Sequence, residues 1–144
     1  MKISTKGRYA IRMLLDLAER QGSGPVTLKD IAERQEISKK YLEQIVPLLN
    51  KSGILQASRG FQGGYTLART PDKYTAGEIL RLTEGDLTPV PCTVDASACP
   101  RSGDCSTLSL WQGLQKVIND YLDSITLQDL LDKKKENYSY DYII

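Results

Sequence analysis

Along the first half of the chain, apolar positions recur every three or four residues and then switch to alternation. From Lys6 to Gln21 the positions Ala10, Leu14, Leu17 and Ala18 form one stripe, which predicts an amphipathic helix. The run GSGP at 22–25 stops it. Thr27, with Asp30 three residues on, predicts the cap of a second helix whose Leu28, Ile31 and Ala32 face inward. After a short turn in QEIS, Ser38 predicts the cap of a third helix reaching Asn50, with Leu42, Ile45 and Leu49 buried. Pro47 has no N–H for the Glu43 carbonyl, so a kink or an irregular last turn is expected there. Two β-type runs, Ile54–Ser58 and Tyr65–Ala68, flank a tip containing Gly60, Gly63 and Gly64 and predict a hairpin.

Thr75 and Glu78 predict a capping box for a helix through Thr83. Residues 86–106 show no period and read as a loop. Period returns from Leu108 to Ser124, where Trp111, Leu114, Val117, Ile118, Tyr121, Leu122 and then Ile125 predict a long helix with one apolar stripe. Thr126 and Asp129 predict one more, short, helix. The ending KKKENYSYDYII is charged, then aromatic, then apolar.

Helix, helix, short turn, helix and hairpin is the order of a winged helix-turn-helix, so the fold class expected is mainly α with a small β wing and a long C-terminal helix. Charge adds to this picture. Residues 1–70 hold 12 Lys/Arg against 6 Asp/Glu, and the rest hold 7 against 12, so a net charge of +1 divides into a basic and an acidic half. A basic half of this helix order points to double-stranded DNA. The segment SKKYLEQ is the expected recognition helix, with Ser38, Lys39, Lys40, Tyr41, Glu43 and Gln44 as candidate contacts. Lysines suit phosphates, and Gln44 suits an adenine edge. Glu43 repels phosphate but accepts from a cytosine amine, which makes it a filter against wrong sites. Arg59 on the glycine-rich wing suits a minor groove. The competing account is a buried three-helix unit with a solvated basic face.

At 144 residues and 40% hydrophobic content the chain can bury a core. No apolar run approaches the ~20 residues of a membrane helix, and charges interrupt the N-terminal stretch, so a cytoplasmic protein is expected. In that compartment clustered cysteines bind metal or do redox work more often than they form disulfides. Cys92, Cys99 and Cys105 are the three cysteines of the chain, all in the polar loop, and there is no histidine. Three thiolates suit an iron–sulfur cluster or zinc. Zinc asks for a fourth ligand, and a disulfide strands one thiol. Asp95, Asp104, Ser106 and Thr107 are local oxygen candidates for a fourth ligand. With no histidine base, phosphate loop or CxxC pair, a small redox or metal-binding enzyme is the weakest reading; a non-enzyme is expected.

Several segments carry a resemblance. MKISTKGRYA, YLEQIVPLLNKSGI, RGFQGGYTLAR, TAGEILRLTEG and the cysteine triad followed by LSLW resemble the bacterial Rrf-two family of winged-helix transcription regulators over about residues 1–132. The resemblance implies a homodimer built on the long C-terminal helix. It divides the chain into a DNA-binding domain (1–85), a cluster-binding loop (86–106), a dimerisation helix with a short helix after it (107–132) and a tail (133–144). The triad places the chain with the IscR-like branch, in which Cys92, Cys99 and Cys105 would hold a cluster, commonly 2Fe-2S, that regulates cluster-biogenesis genes. That branch supplies a histidine where Leu108 stands here, and a nitric-oxide-sensing branch supplies an acid where Arg8 stands, so the fourth ligand departs from both. CymR-like members, repressors of cysteine metabolism, are the alternative. They share the aromatic–isoleucine ending, and two accounts of it stay open: the tail packs on the dimer, or, by that likeness, Ile144 with Tyr142 alongside is captured by cysteine synthase.

Overall fold

Five of the six described helices open on a hydroxyl that the sequence supplies, and those caps fix the element boundaries. The structure, a computed structural model, describes residues 1–143, with side chains through Tyr138. Helix α1 (Thr5–Glu19) starts on Ser4, whose Oγ accepts the Gly7 N–H at 3.2 Å. Thr27, Ser38 and Thr75 do the same at 3.1 Å for α2 (Leu28–Gln35), α3 (Lys39–Lys51) and α4 (Ala76–Glu84). Thr126 and Asp129 form a full reciprocal box, at 2.9 and 3.0 Å, at the head of α6 (Leu127–Ile143). The box expected at Thr75 is only half made. Glu78 turns its carboxylate to Arg69 Nη2 at 2.6 Å, because an ion pair to the end of the wing is within reach. Helix α3 continues past Pro47 to Lys51.

The wing is the antiparallel pair β1 (Leu55–Ser58) and β2 (Gly64–Leu67), in register Leu55 with Leu67 through Ser58 with Gly64. Val26, just before α2, adds a short rung beside Tyr65. Helices α1 to α4 and the wing enclose one core, in which Ala10, Met13, Leu14, Ile31, Leu42, Ile45, Leu49, Ile54 and Ile79 are wholly buried. Tyr74 lies in it too, with its hydroxyl donating to Ile54 O at 2.9 Å and accepting the Arg69 N–H at 2.8 Å. This buried phenol ties both ends of the wing to the turn before α4.

Beyond α4 the chain leaves the core. It passes through a loop with two 3-10 turns (Pro91–Thr93 and Ala96–Ala98) into α5 (Leu108–Ser124), which packs along α4. It then returns: Ala76 N donates to Ile125 O at 2.8 Å, and Leu127 N donates to Tyr74 O at 3.0 Å. Leu127 and Leu131 of α6 are buried in the winged-helix core against α1 and the turn at Pro71–Lys73. One expectation is corrected here. The last helix is not short: it runs 17 residues and takes in the segment read as a tail. Its first turns also serve the core of the N-terminal unit.

Candidate nucleic-acid interface and cysteine loop

Helix α1 holds the helix-turn-helix from behind. Asp16, only 1% exposed, accepts from Arg34 Nε at 3.0 Å, Arg34 Nη2 at 2.7 Å and Gln35 Nε2 at 3.0 Å, all at the end of α2. Burial pushes its carboxyl up. The hydrogen bonds from Arg34 and Gln35 and the charges of Arg20 and Arg34 outweigh that and hold it below the ordinary 3.8. Arg12 of α1 reaches the Gln35 backbone carbonyl. Glu36 then takes a left-handed conformation, φ 54° and ψ 44°, which turns the chain sharply into Ile37, buried, and Ser38. The edge-to-face pair of Tyr9 and Tyr41, centroids 5.3 Å apart, fixes α3 against α1.

So held, α3 presents Lys39, Lys40, Glu43 and Gln44 to solvent on the side opposite Leu42, Ile45 and Leu49. These four are free to reach a groove. The other two candidates are partly committed. Ser38 spends an acceptor lone pair on the cap, and Tyr41 is half-buried against Tyr9. Arg59 is exposed at the tip of the wing, just beyond β1, the strand that packs on α3. Sequence reasoning missed the Asp16 network. Its signal was an acid flanked by the apolar stripe of α1, between Leu15 and Leu17.

Cys92, Cys99 and Cys105 are free thiols, each half-exposed, in a loop whose turns contain no buried residue. Thr107 directs its hydroxyl, 3.2 Å away, and its N–H at Cys105 Sγ and holds that thiol below its ordinary 9.0. Cys105 lines an open cleft of about 560 Å³ with Arg101, Asp104, Ser106 and Thr107. Among the described residues no three cysteine, aspartate or glutamate side chains stand close enough together to hold a metal ion. The donor chemistry therefore suits a thiolate-bound cluster, while the loop as folded does not gather the donors. It also leaves Gln115 Oε1 of α5 buried and without a donor, beside Thr93. A buried orphan carbonyl is uncommon and marks a place where packing is unfinished.

Helix α5 has no buried residue. Leu110, Leu114, Val117 and Tyr121, at spacings of four, three and four, are 59, 41, 65 and 63% exposed. Arg81 of α4 holds α5 by donating to Asp123 at 2.7 and 3.0 Å and to Asn119 at 2.8 Å. The side chains of Tyr142 and Ile144, assigned above to a partner enzyme, lie outside the described residues.

Comparison with known proteins adds four findings. The Rrf2 family profile, described as an iron-dependent transcriptional regulator, matches residues 3–133. The transcriptional regulator CymR of Bacillus subtilis is 40% identical over 143 residues, covering 97% of this chain and 99% of the relative. The solved structure of that global cysteine regulator superposes with TM-score 0.77 over 92% of this chain and 98% of its own. The solved structure of T. potens IscR superposes with TM-score 0.77 at 41% identity, covering 97% of this chain and 96% of its own.

Proposed function

This chain belongs to the Rrf2 family of transcriptional regulators, and we propose that it is a homodimeric DNA-binding regulator governed by an iron–sulfur cluster on Cys92, Cys99 and Cys105. One observation carries the reading. The three thiols are half-exposed and unpaired, and their loop is spliced between α4, which packs on the DNA-binding core, and α5, which carries the uncovered apolar stripe. A group that gathers three thiols there also changes how α5 leaves the winged unit. Thiolates are the ligands of iron–sulfur clusters, and the family is described as iron-dependent. A second copy covers Leu110, Leu114, Val117 and Tyr121, because an apolar stripe about three turns long that faces water is the kind of surface a protein–protein contact covers. Lys39, Lys40, Glu43, Gln44 and Arg59 face the duplex.

A CymR-like repressor of cysteine metabolism is the second reading. It is favoured by the match to CymR across 97% of this chain and 99% of that regulator. Anaerobic reconstitution separates the two. A brown protein with equal iron and acid-labile sulfide, whose operator affinity changes on cluster removal, supports the first. A colourless protein that binds the same DNA with or without iron rejects it in favour of the second. No helix among the described residues is long and apolar enough to cross a membrane.

A further inference from the structure

The tip of the wing carries the most exposed large apolar side chain of the described residues. Phe61 is 104% exposed, while the next, Val117, is 65%. Single exposed apolar residues are ordinary, so the turn that holds Phe61 matters more than its exposure. Gly60 has φ 106°, a value that favours glycine, and its carbonyl accepts the Gly63 N–H at 3.0 Å. Phe61 is thus the first corner of a closed four-residue turn. A Cβ on Gly63 would lie 2.5 Å from Ser58 O and 2.9 Å from Gly60 O, so the returning limb also admits only glycine. Two glycine-only positions make the apex slim and fixed. The ring beyond them has no cover from its own chain. The residue before the turn is the exposed Arg59, in the basic half of the sequence.

A cation beside a lone ring on a slim, fixed loop matches the minor groove of a duplex. Negative potential draws the cation in, and apolar side chains wedge against base steps and unstack them. We infer that Phe61 is a wedge that enters the minor groove with Arg59 and selects there for pyrimidine–purine steps, which unstack most easily. This rests on the DNA-binding reading above and adds a residue that reads deformability rather than base edges.

The test uses the full chain to select duplexes from a random-sequence pool; the winning duplex, end-labelled with a fluorescence-transfer pair, is the probe. Phe61→Ala is expected to weaken binding about tenfold and to bend the probe less. On reselection it should lose the preference for TA and CA steps at the site's flanks. Phe61→Leu, still apolar, should keep most of the bend. Thermal unfolding of Phe61→Ala should match the wild type, since the ring packs against nothing. Equal affinity, bend and selected flanks in Phe61→Ala overturn the wedge and leave DNA binding standing. Failure of the wild-type chain to select any duplex overturns both.

Discussion

The winged unit and the segment from residue 86 to 125 are built on opposite terms. The first closes around wholly buried Met13, Leu14, Ile31, Leu42, Ile45 and Tyr74, with a capping hydroxyl at each of its four helices and the start of α6 filling the remaining face. The second buries nothing in its two 3-10 turns or in α5 and displays an apolar stripe. The difference teaches where each region's order comes from. The winged unit folds on its own hydrophobic burial. The loop and α5 lack such burial of their own; on the function proposed above, their order would come from a second copy on the stripe and from a group that gathers the thiols.

The sharpest way to break this comparison is to make the same truncation in both regions. Leu42→Ala empties a fully buried site and should cost about 2–5 kcal/mol of unfolding free energy. Leu114→Ala should hardly move the denaturation midpoint of dilute protein but should raise the dimer dissociation constant about tenfold or more, by sedimentation. Equal stability losses from the two would show that α5 packs into its own chain.

Next in size is Asp16→Asn. Removing one partner of a buried pair commonly costs about 3–5 kcal/mol. Here the side chains of Arg34 and Arg20 are 33 and 32% exposed and can turn to water, so about 2 kcal/mol is expected, the scale of hydrogen bonds to a charged group. The sign with pH follows from the lowered carboxyl. Its contribution is complete above the unfolded-state value of about 3.9 and is lost as pH falls through the lower native value. Urea midpoints followed downward from about pH 6 should therefore fall less steeply in Asp16→Asn than in the wild type. Parallel acid limbs would mean that Asp16 is not ionised in the fold.

Gly77→Ala probes the seam between the two regions. A Cβ at Gly77 would overlap Asp123 Oδ1 and lie 2.9 Å from Arg81 Nη1, so the bridge holding α5 to α4 must shift. Both partners are more than a third exposed, which limits the loss to about 0.2–1 kcal/mol. Asp123→Ala should cost a similar amount. If both act through one bridge, the double variant should lose no more than either single one. Full additivity would separate the two residues.

What could be read in the sequence follows the same division. Thr27, Ser38, Thr75 and Thr126 were legible as caps because a cap is a local bargain between a hydroxyl and an N–H three residues on. The stripes of α1 and α3 and the glycine-rich hairpin were legible for the same reason. The length of α6 was not, because KKKEN carries no apolar period. Its helix is supported by good helix formers and by Lys134, which pairs with Glu19 of α1 and lies over the Tyr138 ring. The burial of Asp16 and of Leu127 and Leu131 depended on which elements meet, and periodicity within one element carries no record of that. In the candidate site, the exposed face of α3 was legible from the positions its apolar stripe left over. The thiols were legible as a donor set, but their distances were not, because a loop without period carries no record of where its residues fall in space.

The smallest expected effect belongs to the cysteines, and its smallness is the point. Changing Cys92, Cys99 and Cys105 together to Ser replaces half-exposed side chains in a loop whose 3-10 turns hold no buried residue. Surface substitutions of this kind stay within about 0.5 kcal/mol. In the absence of iron, the triple variant should therefore unfold at the wild-type urea midpoint. Thr107 keeps a hydroxyl to share with residue 105, so even that contact has a near equivalent. After anaerobic iron and sulfide loading the two proteins should part. Only the wild type should gain stability, because a ligand held by the native state alone adds its binding free energy to folding. The two regions would then be separable by a single reagent. If the iron-free triple variant were already destabilised by more than about 1 kcal/mol, the thiols would be packing residues and the loop part of the core. If loading stabilised both proteins alike, the iron would sit elsewhere.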